Sequence, residues 1–417
     1  MAADDARTLV AAALGYCLEA MDFLFFTLVI SLIIPALHAN LGEVGLISSA
    51  SLIASAAGGY LFGWLTDYLG RSRVLMITVL VFSVGSLGAA SSQSWQQLLA
   101  WRVLLGLGMG GEWGGGMALL LEKKWGSRNR GKASGTVQSM WPLGYLIATG
   151  ISVGVVPAFG WRGLFVVGIA PALLSFWVQR SVPEPERWRT VRRSERIRPQ
   201  EIFTRQLIRP TILLMALSIT GLWAYESFAI FLPTYLQGKP ALGGLAMHFS
   251  SAIGYLILFN AVGVVVYIGF GFLSDAWSRK GASITFAIVC IPFGFLLALS
   301  HGREPALGIG IAGVGAFTAY FAIYGVWITE SFPTRVRGWA LGLIFNSGRL
   351  VGGFAPVVIG SLAAGIGGLG PAMLIGIPGF ALFAVAASMM RETRHIRLES
   401  LDEELAPGAA PSPQSAA

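Results

Sequence analysis

Apolar residues fall along this chain in runs of about 20, the length a helix needs to cross the hydrocarbon core of a bilayer. Polar, arginine-bearing stretches separate them. Twelve runs can be placed. They cover residues 8–35, 43–66, 74–91, 96–121, 131–156 and 162–180, then 209–236, 249–274, 281–300, 305–329, 338–363 and 370–390. These are spans 1 to 12 below. Gly and Pro interrupt them more often than a water-soluble helix allows, which membrane helices tolerate because neighbouring helices satisfy the freed backbone groups. The pattern predicts an all-α membrane protein of twelve transmembrane helices.

The pattern also doubles. Gly63-x-Leu65-x-Asp67-x-x-Gly70-Arg71 follows span 2, and Gly271-x-Leu273-x-Asp275-x-x-Ser278-Arg279 follows span 8, with Asp67 and Asp275 208 residues apart. Glu122 closes span 4 before Arg130-Gly131, as Glu330 closes span 10 before Arg337-Gly338. Glu19 in span 1 and Glu226 in span 7 lie 207 residues apart. The shared offset predicts two pseudo-symmetric six-helix halves, residues 1–180 and 209–391. Residues 181–208 are expected as a basic cytoplasmic linker and 392–417 as a disordered cytoplasmic tail. Parallel repeats related by an axis along the membrane normal are an established transporter plan.

Composition sharpens the class. The 417 residues are 55% hydrophobic and 12% charged, where a soluble domain is about a quarter charged. Mean hydropathy is +0.69. A disordered chain is excluded, and the composition argues against an ordinary soluble enzyme of two or three domains. The net charge of +8 and pI near 9.7 would suggest nucleic acid in a soluble protein. Placement removes that reading: with both termini inside, 24 of the 29 Lys and Arg fall in cytoplasmic segments, three in outer loops and two, Arg102 and Arg349, within spans. That asymmetry orients the chain and predicts a multi-pass protein of a bacterial inner membrane with no nucleic-acid partner. The first apolar run is too long for a signal peptide. The two cysteines, Cys17 and Cys290, sit in apolar runs and imply no disulfide framework.

The motifs resemble those of the major facilitator superfamily. Gly63-x-Leu65-x-Asp67-x-x-Gly70-Arg71-x-Arg73 is similar to that family's best-known loop signature, and Arg102-x-x-x-Gly106-x-Gly108 to its second. A narrower resemblance is to the metabolite:proton symporters, especially the sialate/lactate and aromatic-acid branches. It rests on Glu19-Ala-Met-Asp22-Phe23, where Glu replaces the usual first Asp. It rests also on Gly110-Gly111-Glu112-Trp113-Gly114 and on Phe345-Asn346-Ser347-Gly348-Arg349, with Phe for the usual Tyr. The resemblance implies a proton-driven importer of a small organic anion, such as lactate, an aromatic acid or a sialic-acid-like compound. It also implies alternating access around a cavity between the halves. A facilitator, or a proton symporter of a neutral or zwitterionic metabolite or sugar, is the alternative.

Ionisable side chains inside spans are costly and mark functional candidates. They are Glu19, Asp22, Glu112 and Glu226 as acids, Arg102 and Arg349 as bases. Two carboxylates lack a compensating cation, and an acid in that position is expected to take up and release a proton. Glu19 and Asp22, three residues apart, share a helix face. Asp22, Glu19, Arg102 and Glu112 are therefore the expected proton-coupling residues, Arg102 being the fixed cation that the family implies for the span 1 acid. The plainer reading of each is a permanent inter-helix contact.

Arg349 is the expected anion binder, since a planar guanidinium grips a carboxylate by two parallel hydrogen bonds. Its plainer role is a pair with Glu226 or another acid of its own half. Asn346, Gln138, Asn260, Tyr145, Glu226 and Tyr324 complete the expected substrate set. At the cytoplasmic helix ends, Asp67, Arg71, Arg73, Asp275, Arg279, Glu122, Arg130, Glu330 and Arg337 are expected to latch the halves. No phosphate-binding loop appears: Gly106-Leu107-Gly108-Met109-Gly110-Gly111 lies within a span and lacks the lysine. His38, His248, His301 and His395 are scattered, so no metal is expected. Nothing resembles a nucleophile–base pair. The chain reads as a transporter, not an enzyme, working without a cofactor and as a monomer.

Overall fold

The computed structural model describes residues 3–69, 71–110, 117, 120–121, 126, 128–169, 199–394, 396 and 398–404. The side chains of Asp22, Asp67, Arg71 and Arg73, and the whole of Glu112 and Glu122, lie outside the described residues, as do 181–198 of the expected linker and 405–417 of the tail. The described secondary structure is helical, and nine helices among the described residues are long and apolar enough to cross a membrane. Each of the twelve predicted spans contains described helix.

Spans 1, 2 and 3 form Ala3–Ala36, Leu41–Leu69 and Arg71–Ala90, and span 4 is described from Trp95 to Met109. Span 5 is built from Arg130–Gln138 and the start of Met140–Val167. At Gly160, φ is +65° and ψ −172°, and the backbone leaves the helix there to turn into span 6. The positive φ suits glycine, which has no Cβ to clash. Span 7 comprises Ile208–Ala229 and Leu232–Gln237, span 8 Phe249–Ala276 and span 9 Arg279–Leu299. Span 10 joins Ala306–Phe317 to Ile323–Ser331 through the tighter turn Thr318–Ala322. Span 11 comprises Thr334–Gly352 and Ala355–Leu362, and span 12 Leu369–Met373 followed by Ile377–Met389.

Polar side chains punctuate the starts. Asn40 and Glu43 cap span 2 reciprocally, each side chain accepting from the other's backbone N–H at 2.8 and 2.9 Å. Ser278 Oγ accepts from Gly281 N at 2.8 Å to cap span 9. Such caps satisfy amides that have no partner within the helix.

The duplication predicted from the offsets is present in the packing. Span 1 packs on 5, 2 on 4 and 3 on 4; correspondingly 7 packs on 11, 8 on 10 and 9 on 10. Between the halves, span 2 lies along span 11 and span 5 along span 8, again symmetry equivalents. Glycines permit both approaches. A Cβ on Gly131 would stand 2.5 Å from Gly271 O, and one on Gly45 2.5 Å from Pro356 O. Large apolar residues such as Leu80, Ile212, Val265 and Leu382 are exposed on the outside of the bundle, the arrangement a lipid surround requires.

The tail departs from expectation in its first part. Residues 392–394 run along the bundle end and Leu398–Glu404 is helical. Acidic side chains anchor it to helix starts: Glu392 accepts from Arg279 N and Lys280 N, and Asp402 from Thr334 N and Oγ1 at 2.6 Å. Hydrogen bonds to otherwise orphaned amides outweigh the entropy expected to leave a polar Ala/Pro-rich segment loose.

Candidate functional site

The middle of the molecule holds a buried ion pair that joins the halves. Span 1 carries Glu19 and span 11 carries Arg349, each 3% exposed. Arg349 Nη2 donates to Glu19 Oε1 at 2.9 Å. The guanidinium also lies 5.0 Å over the Phe345 ring one turn earlier in its own helix, a cation–π contact. The pair is incomplete. Glu19 Oε2 and Arg349 Nη1 are buried without a hydrogen-bond partner. A single bond is held where a bidentate one is available.

The plainer expectation for Arg349 was a pair within its own half. The pair it makes crosses to the opposite half, because spans 1 and 11 both line the central interface. Its own-half acid, Glu226, is also buried, at 3% exposure. Glu226 lies within electrostatic reach of Arg349, yet no hydrogen bond connects the two. Tyr16, one turn before Glu19 on the same face, feels the charges of Glu19, Arg349 and Glu226 together. Its three-residue spacing from Glu19 is the sequence signal that places it on that face.

Aromatic and amide groups extend the site. Trp141 Nε1 of span 5 donates to Tyr225 Oη of span 7 at 3.1 Å. The Trp141 ring lies 5.4 Å from Tyr16 and 6.0 Å from Phe23, and Tyr225 meets Phe321 edge-on at 5.4 Å. Gln138 Nε2 donates to Phe321 O at 3.1 Å, tying span 5 to span 10. Asn346 donates from Nδ2 to Gly342 O at 2.8 Å, leaving Oδ1 unpartnered. Asn260 in span 8 does the same against Leu256 O. A flipped amide would oppose oxygen to oxygen, so both assignments are forced by the helix. Asn346 lies against Gly59 of span 2.

The two tyrosines of the expected substrate set bond within their own halves, Tyr324 also lying edge-on to Phe321 at 5.3 Å. Tyr324 Oη is committed to Leu217 O at 2.9 Å within the second half, and Tyr145 Oη takes a bond from Thr27 at 3.4 Å within the first. Arg102 is fully buried against span 1. Its Nη2 donates to Phe23 O at 3.4 Å and its guanidinium lies 5.2 and 4.8 Å from the Phe23 and Phe26 rings. Arg102 thus meets the turn that carries Asp22, whose side chain is outside the described residues. A cavity of about 160 Å³ opens nearer the end opposite the motif loops, lined by apolar groups including Leu28, Val156, Phe249 and Ile253. No group of acids, His and Cys able to hold a metal occurs among the described residues.

The expected latch residues that are described gather at the motif end. Glu330, fully buried, receives Arg130 Nη1 of the opposite half at 2.8 Å and Arg279 Nη2 at 3.2 Å. Asp275 pairs with Arg279 at 2.5 Å and also accepts from the backbone N–H of Gly131 and Lys132, at 3.1 and 3.0 Å, capping span 5 across the interface. Arg337 bonds Thr329 O and Thr334 Oγ1, both at 3.1 Å, inside its own half. The tail adds Thr393 Oγ1 to Glu330 Oε2 at 2.5 Å and takes Arg130 Nη2 on Ile396 O at 2.8 Å. Nothing in the sequence flagged Thr393. The halves also meet at the other end, where Val357 N donates to Ser49 Oγ at 3.1 Å.

Comparison with known proteins places this architecture. The family described as Major Facilitator Superfamily matches residues 12–356. A probable 4-methylmuconolactone transporter of Cupriavidus pinatubonensis is 32% identical over 95% of the chain and 93% of its own length. A cis,cis-muconate transport protein of Acinetobacter baylyi is 28% identical over 85% of the chain and 86% of its own length. Among solved structures, the proton:xylose symporter XylE superimposes with a TM-score of 0.75 at 17% identity, covering 96% of the chain and 98% of that protein. That likeness is one of fold.

Proposed function

The chain belongs to the Major Facilitator Superfamily, a multi-pass membrane transporter of metabolites and not an enzyme, and we propose that it carries a small organic anion together with a proton by alternating access. The observation that supports this reading is the Glu19–Arg349 pair, buried, one-bonded and shared between the halves. A proton on Glu19 neutralises the carboxylate and frees Arg349, and a substrate carboxylate then takes its place on the guanidinium. Proton and anion together leave the site's formal charge unchanged. Either alone leaves one buried charge uncompensated, which is strongly disfavoured. Coupling follows from that difference.

The relatives' names point to organic acids and a lactone as their cargo, in keeping with an anion-binding arginine. Arg102 of span 4 lies against Phe23 and Phe26 of span 1, and Asp22 is assigned as the acid it answers in proton coupling. The Arg130–Glu330 and Asp275 contacts hold the cytoplasmic end shut, with both termini in the cytoplasm of a bacterial inner membrane. The six-helix halves, residues 1–180 and 209–391, rock about this centre.

The test is uptake of labelled monocarboxylates into vesicles containing the protein, with and without an imposed inward proton gradient. The gradient should drive accumulation, a protonophore should abolish it, and Arg349→Gln should transport no carboxylate. Uptake indifferent to the gradient identifies a facilitator. Carboxylate transport retained by Arg349→Gln removes the anion site from Arg349.

A further inference from the structure

Part of the contact network at the motif end comes from outside the twelve spans. Glu330 closes span 10 fully buried, and its two oxygens have different partners. Oε1 receives one guanidinium from each half, Arg130 Nη1 at 2.8 Å and Arg279 Nη2 at 3.2 Å. Oε2 receives Thr393 Oγ1 at 2.5 Å, and no other described residue bonds it. The last torsion of a glutamate side chain is broad and weakly preferred. A hydroxyl on Oε2 therefore fixes the turn of the carboxylate that brings Oε1 between the two arginines. Further along the tail, Ile396 O accepts from Arg130 Nη2 at 2.8 Å. Both terminal nitrogens of this first-half arginine thus end on groups that residues 393–396 orient or supply.

The tail is itself fixed to the second half. Glu392 accepts from Ser278 Oγ and from the N–H groups of Arg279 and Lys280 at the start of span 9. Arg394 Nη1 donates to Trp277 O at 2.9 Å, and Asp402 caps Thr334 at the start of span 11. When the halves part at this end, Arg130 leaves with span 5, while Glu330, Thr393 and Ile396 stay together. Water then reaches Glu330 and satisfies either oxygen. In the closed state the carboxylate is shut away from water, and an oxygen without a partner carries the full cost of its desolvation. Thr393 is therefore worth more to the closed state than to the open one, and only such a difference moves an equilibrium.

We propose that Thr393 is a positioning residue of the transport cycle: it orients Glu330 for Arg130 and, with Ile396 O, biases the protein toward closure at the motif end. This rests on the reading of the Arg130–Glu330 contact as a latch, and is independent of the anion site and its proton. The docked tail is a working part of the gate.

The experiment reads the ratio of open to closed protein from spin-label distances between the motif ends of spans 5 and 10, in the full chain reconstituted in vesicles. Thr393→Val keeps the shape of the side chain and removes the hydroxyl, and the ratio should rise about tenfold. Thr393→Ser restores the hydroxyl and should stay within about twofold of wild type. Should Thr393→Val not fold, Asp402→Ala, which frees the tail from span 11 and leaves Glu330 untouched, should raise the ratio by about threefold. A ratio unmoved by Thr393→Val, or by Asp402→Ala in its place, overturns the assignment, as does a serine variant as open as the valine one. A lower melting temperature with unchanged distances also overturns it, since Thr393 would then only anchor the tail. Glu330→Gln separates the two readings. If it opens this end and Thr393→Val does not, the latch stands without Thr393. If neither does, the latch reading falls and this inference with it.

Discussion

Replacing Glu19 by glutamine removes one charge from the central pair and almost no volume. At 2.9 Å separation and an effective dielectric of about 20, the two charges attract by roughly 6 kcal/mol. Most of that is offset by the cost of taking both ions out of water, so the useful figure is the cost of stripping one partner, about 3–5 kcal/mol. In wild type at alkaline pH, an anion that takes Arg349 must displace an ionised Glu19 and leave it buried and unpaired. The glutamine variant has no such penalty. Its affinity for a monocarboxylate at alkaline pH should exceed that of wild type by about 100-fold or more, at roughly 1.4 kcal/mol per decade.

At acid pH, where Glu19 takes a proton, the two proteins should converge. Binding is measured calorimetrically on purified protein across that range, and transport is measured in the same preparations reconstituted in vesicles. The variant should exchange labelled for unlabelled substrate across the membrane yet fail to accumulate it against a gradient. Anion binding should also restore the thermal stability lost when Arg349 loses its partner. The reasoning is refuted if alkaline affinity stays within a few-fold of wild type, or if the variant still accumulates substrate when a proton gradient is imposed. Glu19 would then be a strut between helices and not the proton site.

Other consequences concern the ends and seams. Glu330→Gln leaves Arg130 and Arg279 without their shared carboxylate, and by the same cost of about 3–5 kcal/mol should shift the population toward opening at that end. Spin-label distances across spans 5 and 10 should lengthen, and unchanged distances would deny the contact a latching role. Partial burial opposes the charge of Glu392, but Ser278 Oγ and the N–H groups of Arg394, Lys280 and Arg279 outweigh it and hold the carboxyl below its ordinary value of 4.5. A group lowered on folding stabilises above its unfolded value and loses that contribution as pH falls through the lower folded one. The melting-temperature deficit of Glu392→Gln should therefore be full at neutral pH and fade below about 4.5; a deficit that persists in acid would show that neutral hydrogen bonds carry it. A Cβ on Gly106 would come 2.2 Å from Ser51 O. Gly106→Ala should thus push spans 2 and 4 apart at a cost of about 1–3 kcal/mol in thermal stability, and a melting curve identical to wild type would contradict that packing.

The fold was legible because a bilayer imposes a length on every element, and because the repeated loops fixed the register between halves. The packing of span 1 on 5 and 7 on 11 follows once that register is known. The site was legible only in pieces. Glu19 and Arg349 each stood out as a charge in an apolar run, but nothing local joins two residues so far apart in the chain. Their meeting depends on which spans line the interface, a property of the whole bundle. Tyr324 and Tyr145 illustrate the converse. A hydroxyl in a span suggests a ligand contact, yet a backbone carbonyl exposed by close helix packing takes Tyr324 within its own half, and Thr27 takes Tyr145. The first part of the tail reads as coil by composition, whereas two acids placed opposite helix starts, Glu392 and Asp402, dock it.

The charge pattern of the centre breaks the symmetry of the backbone around it. Glu19 and Glu226 occupy equivalent positions in the two halves, but Arg349 has no basic counterpart: the residue 207 positions earlier is Pro142. One cation faces two related acids. A backbone built from equivalent halves has two related shapes, open to one side or the other, of comparable energy. On the proposed reading, occupancy decides which transitions between them are permitted. With the site empty, Arg349 bonds Glu19 and the interface closes on a neutral pair. With proton and monocarboxylate both bound, Arg349 bonds the substrate and the interface again closes on a neutral pair. With the proton alone, Arg349 is stranded. With the anion alone, Glu19 is stranded. Each stranded charge costs about 3–5 kcal/mol in a buried site, enough to hold uncoupled crossings roughly 100-fold or more below coupled ones. A second arginine opposite Glu226 would remove that discrimination by giving every anion a partner. The absence of one is therefore as much a part of the coupling as the presence of Arg349.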